Sequence, residues 1–321
     1  MYHCPICHTT LTPAAKSWQC EQGHQFDVAK DGYIHLLPVQ YKNSHSPGDT
    51  AESVTARRAF LQAGHYQPLR DALQTQLQQA NAHTLLDLGC GEGYYTEAMQ
   101  HAVPQVIGLD IAKPAIRLAA KRLPQIQWIV GSAVRLPIQS QSMDVVCSLF
   151  SPLPLAEMQR VLKSTGQLWV ATPAADHLHS LRAQLFEQVN PHTPDKFVQQ
   201  LAPSFQLLSQ TEIRVPLQLD QQGLRQLIAM TPYAYKAKPE RRQQLEQATD
   251  FQTEAVFCLM QFGFIGIRGH RDQLAQTLLI KLQRHTDFGL TEQLKTRCKL
   301  LHKLVRRVRI DLFKQLRPQA V

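Results

Sequence analysis

Four residues near the N-terminus have the types and the spacing of a metal site. Cys4 and Cys7 form a C-x2-C pair, and Cys20 and His24 form a C-x3-H pair after twelve intervening residues. Four such ligands close a zinc tetrahedron with no open position, which is typical of a structural site. The segment has too few apolar residues to bury these side chains without a metal. The adjacent alternative donors are His3 and His8.

A glycine loop, D-L-G-C-G-E-G at residues 87–93, is the second candidate site. A phosphate-binding P-loop would need G-K-[S/T], and a dinucleotide loop would need glycine where Tyr94 stands. The pattern D-x-G-x-G-x-G is that of methyltransferases that use S-adenosylmethionine. Gly89, Gly91 and Gly93 let the backbone approach the amino-acid end of that cofactor, because they carry no Cβ atom.

Further cofactor contacts are predicted at the ends of the next two apolar segments. Asp110 ends V-I-G-L-D, and its carboxylate can accept hydrogen bonds from both hydroxyls of a ribose. Ser132 and Ala133 follow the third segment and are predicted to flank the adenine. Cys90 has no basic neighbour in the sequence, so we interpret it as a small packing residue rather than a nucleophile.

The elements that position these residues alternate between strands and helices. Apolar runs at TLLDL, QVIGLDI, IQWIV, MDVVCSLF and GQLWVATP are separated by helical patterns such as KPAIRLAAKRL. This alternation predicts an α/β, Rossmann-like fold, with a parallel sheet covered by helices on both faces. Two later runs, FQLLSQTEIRVPLQL and FQTEAVFCLMQF, predict an antiparallel hairpin that closes the sheet. Residues 56–79 predict two helices broken at residues 64–66.

Composition and the placement of turn-forming residues divide the chain into four parts. The predicted parts are a zinc-ribbon-like module at 1–37, a linker at 38–55, a catalytic domain at 56–267 and a basic helical extension at 268–321. The module has little core of its own, and the linker is polar with two prolines and a glycine.

The net charge of +9 resides in the last of these parts. Residues 268–321 hold 13 lysines and arginines against four acidic residues, while the preceding residues hold 21 of each kind. Apolar residues at helical spacing predict an amphipathic basic helix over residues 291–317. Such a segment suits nucleic acid or the ribosome better than an anionic membrane. A merely solvated basic face, with the apolar seam docked on the body or on a second subunit, is the alternative.

No run of 18 apolar residues occurs, and the first residues are not those of a secretory signal. Seven cysteines, three of them in the first twenty positions, fit metal binding in a reduced compartment better than a disulfide framework. We therefore expect a cytoplasmic protein with no membrane partner.

Longer motifs carry a family resemblance. The runs CPICHTTL, CEQGHQFDVAKDGYIHLLPVQ, ARRAFLQAGHYQPL, LLDLGCGEGYYT and MTPYAYKAKPE together resemble the 23S ribosomal RNA (guanine-N1)-methyltransferases. This is the zinc-containing rRNA large subunit methyltransferase A type, which includes macrolide-resistance members. The resemblance covers residues 1–262, so it implies nothing about the extension.

The resemblance implies methyl transfer to N1 of a guanine in a hairpin loop of 23S rRNA. It implies zinc at the four ligands above, a zinc module that assists RNA recognition, and a homodimer with a cleft for the hairpin. It also places Tyr66, His177 and the loop around Glu92 in contact with the cofactor. The full predicted cofactor set is Tyr66, Asp87, Gly89, Gly91, Glu92, Gly93, Asp110, Ser132, Ala133 and His177.

Guanine N1 carries a proton at neutral pH, so the site must accept it or stabilise the resulting anion. Asp176, His177 and His179 are the nearest ionisable residues, and the sequence alone leaves the catalytic base unknown. Phe150, Tyr94 and Tyr95 are candidates for stacking surface. A methyltransferase for another RNA or a small molecule is the alternative function, and a non-catalytic RNA-binding or assembly factor is the third.

Overall fold

The computed structural model describes residues 2–41 and 48–265. The chain divides into two units, Met1–Phe264 and Ile265–Val321, and all but one residue of the second lies outside the described residues. The predicted extension at 268–321, with its basic helix, is therefore outside them too. In the described ranges, no helix is both long enough and apolar enough to cross a bilayer.

The N-terminal strands form a small antiparallel sheet. It contains β1 (Leu11–Ala14), β2 (Ser17–Cys20) and β3 (Gln25–Asp27), in that order. Its apolar side chains do not form a separate core. Tyr2 and Leu11 pack in the same buried cluster as Ile138 and Met158 of the following domain. The small sheet is thus joined to the larger one by a shared apolar contact.

The large sheet has eight strands. They are β4 (Tyr33–His35), β5 (Thr84–Leu88), β6 (Gln105–Asp110), β7 (Gln127–Val130), β8 (Met143–Leu149), β9 (Leu162–Pro173), β10 (Phe205–Leu219) and β11 (Phe251–Phe264). Their spatial order is β10-β11-β9-β8-β5-β6-β7-β4. Strands β4 to β9 run parallel, whereas β11 and β10 are antiparallel to their neighbours. The carboxyl ends of β5 to β9 consequently meet at one edge, where open α/β sheets bind ligands.

Helices cover both faces of this sheet. They are α1 (Ala51–Gln62), α2 (Gln67–Gln78), α3 (Tyr94–Gln100), α4 (Lys113–Arg122), α5 (Leu155–Val161), α6 (His179–Leu185), α7 (Asp195–Leu201), α8 (Gln221–Ala229), α9 (Tyr233–Lys236) and α10 (Pro239–Leu245). A short 3-10 helix spans Val39–Tyr41. Consecutive strand residues serve opposite faces: Leu85 packs with Leu73 and Leu77 of α2, and Leu86 packs with Met158 of α5.

The predicted Rossmann-like fold is confirmed, and three local features differ from the expectation. Strands β10 and β11 pair antiparallel, but α8, α9 and α10 separate them, so they are not a simple hairpin. Strand β4 lies within the predicted zinc module yet pairs with β7. Helix α1 begins at Ala51, inside the predicted linker, because the Thr50 side chain caps it by accepting a hydrogen bond from Ser53 N.

Candidate active site and metal centre

The predicted metal ligands form one cluster. The ligand atoms of Cys4, Cys7, Cys20 and His24 all lie within 4.8 Å of one another. Cys7 Sγ is 3.6 Å from Cys20 Sγ, and Cys20 Sγ is 3.3 Å from His24 Nδ1. Tetrahedral zinc with ligand bonds of about 2.0–2.3 Å places neighbouring ligand atoms roughly 3.5 Å apart. The four side chains therefore fit one zinc ion.

Local turns bring the two ligand pairs together. Gly23 has a φ of +81°, a left-handed conformation that lets the chain return to His24 immediately after β2. The alternative donors His3 and His8 do not belong to the cluster. They line a neighbouring cavity of about 310 Å³, together with basic residues of the catalytic part.

The glycine loop joins β5 to α3 at the carboxyl edge of the large sheet. Gly89, Gly91 and Gly93 all have positive φ values, which other residues rarely adopt. A Cβ atom at Gly89 would lie only 2.5 Å from Cβ of Ser151, the second residue after β8. Glycine is thus required there by space as well as by conformation, whereas the space beside Gly91 holds only Arg57 Nη1, at 3.7 Å.

Asp110 connects the end of β6 to this loop. Its Oδ2 accepts a hydrogen bond from Gly91 N at 2.9 Å, and its Oδ1 accepts one from Ala112 N at 2.7 Å. Each carboxylate oxygen keeps a further acceptor position. Burial raises the pKa of Asp110, and the two backbone donors act against this rise. The carboxylate is therefore fixed in place beside the loop, with acceptor capacity left for hydroxyl groups.

Two further acids lie within or beneath the loop. Asp87 is buried below it and accepts a 2.6 Å hydrogen bond from Thr96 Oγ1 of α3. Burial raises the pKa of Asp87 to about 7. Burial also raises the pKa of Glu92, although nearby Arg57 and Arg122 oppose that rise. Asp87 holds the loop to α3, whereas Glu92 belongs to the loop itself.

Aromatic rings line the sheet edge next to the loop. The ring centroid of Phe257, on β11, is 4.7 Å from that of Tyr66, 5.5 Å from that of Phe150 and 5.0 Å from that of His177. Phe150 directly follows β8 and keeps 45% of its surface exposed. Tyr95, whose ring centroid is 6.4 Å from that of Phe150, has a buried hydroxyl without a protein partner.

The proposed ionisable residues follow β9. Nδ1 of His177 lies 2.8 Å from Val256 O and 3.1 Å from Val256 N. The ring therefore contacts the backbone of β11, at a position just beyond the point where its neighbour β9 ends. Burial lowers the pKa of His177 to about 4. Desolvation acts to raise the pKa of Asp176, but the hydrogen bond and ion pair with Arg214, at 2.8 Å, together with its backbone hydrogen bond, outweigh it and the pKa is lowered. His179 begins α6.

Comparison with known proteins separates the two parts of the chain. The family model described as "RlmA, N-terminal", a zinc ribbon, matches residues 2–45, and a "Methyltransferase domain" model matches residues 85–166. The 23S rRNA (guanine(748)-N(1))-methyltransferase of Streptomyces fradiae is 33% identical over 245 residues, which cover 74% of this chain and 86% of that protein.

The chain belongs to the family of 23S rRNA (guanine-N1)-methyltransferases. It is accordingly an S-adenosylmethionine-dependent methyltransferase with an N-terminal zinc ribbon. The chain is also similar, over less of its length, to more distant proteins. The malonyl-[acyl-carrier protein] O-methyltransferase of Serratia marcescens is 30% identical over 42% of this chain and 59% of that enzyme. The YcgJ protein of Bacillus subtilis, a solved structure, is 18% identical with a TM-score of 0.44, covering 60% and 98% of the two chains.

The methyltransferase brings most of its predicted cofactor set to one edge of the sheet. The glycine loop follows β5, Asp110 ends β6, Ser132 and Ala133 follow β7, and His177 follows β9. Ser132 and Ala133 are half-buried, in a tight turn in which Arg135 N donates to Ser132 O at 3.2 Å. Tyr66 reaches the same edge from the segment between α1 and α2.

Sequence reasoning missed two residues of this region, Asp49 and Arg57. Asp49, just before α1, forms an ion pair with Arg57 in the middle of that helix, and both act electrostatically on Asp110. The segment G-D-T resembles a linker because it is polar and contains glycine. The signal that could have found the helix is Thr50 followed by Glu52, an N-cap with an acidic first turn, which marks a helix start.

Proposed function

We propose that this enzyme transfers a methyl group from S-adenosylmethionine to N1 of a guanine in a hairpin loop of 23S rRNA. The observation that carries the proposal is the match over both parts of the chain. This chain carries both the zinc-ribbon and the methyltransferase-domain match, and its alignment with the Streptomyces fradiae enzyme covers 74% of this chain and 86% of that enzyme. The acyl-carrier-protein methyltransferase, in contrast, matches less than half of the chain.

We assign the cofactor contacts from the placement of the residues. Gly89, Gly91 and Gly93 form the loop that lies at the amino-acid end, and Asp110 offers acceptors to the ribose. Ser132 and Ala133 flank the adenine, while Tyr66, Glu92 and His177 follow the family resemblance. Asp87 acts through the loop that it supports.

Bound S-adenosylmethionine supplies an electrophilic methyl group, and the chain must present guanine N1 to it. A base leaves a hairpin loop more easily than a duplex, and aromatic side chains hold such bases by stacking. Phe150 is exposed at the carboxyl end of β8, next to the glycine loop, so we assign it as the platform for the target base.

The N1 proton must leave the base, and two of the sequence candidates, Asp176 and His177, are poorly suited to receive it. His177 has a pKa of about 4, so it is neutral but weakly basic at pH 7. Asp176 is held by Arg214. We therefore assign His177 to cofactor contact and assign no general base.

The remaining parts of the proposal concern partners. We propose that the zinc module, residues 1–37, contacts the rRNA hairpin, that residues 56–267 carry out methyl transfer, and that two subunits form the cleft. An rRNA substrate places the enzyme in the cytoplasm with ribosomes or their precursors.

Primer extension tests the function directly, because a methyl group at guanine N1 blocks Watson–Crick pairing and stops reverse transcriptase. Unmodified 23S rRNA, from a strain that lacks the gene, is incubated with the full-length enzyme and S-adenosylmethionine. A new stop at one guanine of a hairpin loop is expected. Methyl incorporation into other RNA without that stop would support the alternative function.

A further inference from the structure

The cofactor carries a carboxylate into a site rich in acids. Asp87, Glu92 and Asp110 all lie in or beside the glycine loop; Asp87 and Glu92 are buried, and Asp110 is half-buried. An unpaired anion in such surroundings is strongly disfavoured. The carboxylate of S-adenosylmethionine therefore requires a cationic or hydrogen-bonding partner at the loop.

Most of the loop backbone is already engaged and cannot supply that partner. Gly89 N and Cys90 N both donate to Leu109 O, and Gly91 N donates to Asp110. Gly93 N donates to Cys90 O. Four of the five N–H groups from Gly89 to Gly93 are thus engaged within the protein.

Arg57 reaches this loop from α1. A Cβ atom at Gly91 would lie 3.7 Å from Arg57 Nη1, so the guanidinium is next to the open face of that glycine. Its ion pair with Asp49 fixes its direction, and the two side chains are 25% and 47% exposed. Arg122, the other arginine near Glu92, is committed to Glu97 at 2.8 Å.

Helix α1 is anchored so that Arg57 keeps this position. Val54, one turn before Arg57, is buried against Ala112 and Ala115, which follow β6. A Cβ atom at Gly48 would lie 2.9 Å from Cβ of Ala112, so the chain before α1 also touches the end of β6. The helix and its approach are therefore packed over the carboxyl end of the strand that carries Asp110.

We propose that Arg57 binds the carboxylate of the methionine moiety of S-adenosylmethionine, with Asp49 orienting the guanidinium. This rests on the proposed function only in that S-adenosylmethionine is the cofactor. Arginine suits the task because its planar fork binds a carboxylate through two parallel hydrogen bonds and stays charged. Arg57 is thus a cofactor-binding residue that lies outside the glycine motif.

Two ligands of the full-length enzyme distinguish this role from a structural one. S-adenosylhomocysteine has the amino-acid end, whereas 5′-methylthioadenosine keeps the adenine and ribose but lacks the carboxylate. Calorimetry on Arg57→Gln should show S-adenosylhomocysteine binding weakened by about 10- to 150-fold, the range for removal of a charged hydrogen bond. Binding of 5′-methylthioadenosine should stay within about twofold.

Matched variants complete the test. Arg58→Gln, the same substitution at the next residue, should leave both affinities unchanged, and Asp110→Ala should weaken both ligands, because both contain ribose. Arg57→Lys keeps the charge and should lose less affinity for S-adenosylhomocysteine than Arg57→Gln does.

Equal loss of affinity for both ligands in Arg57→Gln, or no loss for either, overturns the proposal. A wild-type enzyme that fails to bind S-adenosylhomocysteine would instead overturn the cofactor assignment.

Discussion

Phe150 holds a backbone conformation that non-glycine residues seldom adopt. Its φ is +57°, and such residues typically cost about 1–3 kcal/mol. Glycine would relieve that cost, yet a large and half-exposed aromatic ring occupies the position. The conformation aims the ring at the sheet edge where Phe257 and Tyr95 lie nearby. This combination of strain and exposure favours a ligand-facing role over a packing role.

Replacing Phe150 by alanine should therefore weaken use of rRNA and spare the cofactor. Stacking of a base on an aromatic side chain contributes about 1–3 kcal/mol, so kcat/KM for 23S rRNA should fall roughly 5- to 150-fold. Phe150→Trp should retain most activity, and the dissociation constant of S-adenosylhomocysteine should not change in either variant. Leu208→Ala, at an exposed apolar residue on β10, serves as control. Normal kinetics of Phe150→Ala would show that the base rests elsewhere.

Asp87 is a second residue whose surroundings have a measurable consequence. Its folded-state pKa of about 7 lies above the usual value of 3.8, because burial disfavours the charged form. The folded protein therefore binds the proton more tightly than the unfolded chain. The contribution to stability is full below about pH 4 and is lost as pH rises towards 7.

In Asp87→Asn, this pH dependence should disappear. The asparagine carbonyl still accepts the hydrogen bond from Thr96, but it carries no charge. Urea unfolding of the cofactor-free proteins should show that the free energy of unfolding of the variant increases relative to that of wild type as pH rises from 4 to 7. The maximum difference is about 4 kcal/mol, at 1.36 kcal/mol for each pKa unit. Parallel stability curves would mean that the Asp87 pKa is not raised.

At the scale of elements, the sequence predicts the sheet better than its edges. Strands β5 to β9 are apolar runs with helical patterns between them, and parallel strands bring their carboxyl ends together. The loop and Asp110 consequently meet, as the motif implied. Strand β4 was missed because three residues carry too short a pattern, and its partner β7 lies far along the chain.

Arg57 could not be predicted for a related reason. Its position depends on how α1 packs on the end of β6, through small side chains that leave no periodic signal. The zinc cluster is the opposite case, because spacing alone brings its four ligands together through short turns. The cluster predicted from spacing is present, and Tyr2 and Leu11 beside it share a core with the catalytic domain.

Loss of zinc should accordingly impair the N-terminal element more than the cofactor site. Cys20→Ala removes one of four ligands, so the protein should lose its metal, measured by plasma emission, and bind the rRNA hairpin more weakly. The affinity for S-adenosylhomocysteine should stay largely intact, because the glycine loop belongs to the other sheet. Cys258→Ala, in β11, should retain zinc. Equal losses of RNA and cofactor binding in a folded Cys20→Ala protein would argue that the two elements act as one.

At the scale of the whole molecule, charge is divided unevenly along the chain. The first 267 residues hold equal numbers of basic and acidic side chains, and residues 268–321 account for the entire net charge of +9. Polyanion binding depends on such excess charge, because each phosphate that is neutralised releases counterions. The segment lies outside the described residues, so sequence charge is the basis for the expectation that it binds phosphates beyond the target hairpin.

A chain that ends after Ile267 should therefore bind 23S rRNA more weakly and with less dependence on salt. The slope of log affinity against log salt should become shallower by about 0.7–0.9 for each phosphate that the shortened protein no longer neutralises, while cofactor affinity stays the same. Filter binding at several salt concentrations measures the slope. A full-length variant in which the arginines of the extension are changed to glutamine provides the matched control.

Unchanged slopes in both proteins would mean that the extension does not touch RNA. Docking of its apolar seam on a second subunit would then be the better explanation, and the oligomeric state of the truncated protein would decide it.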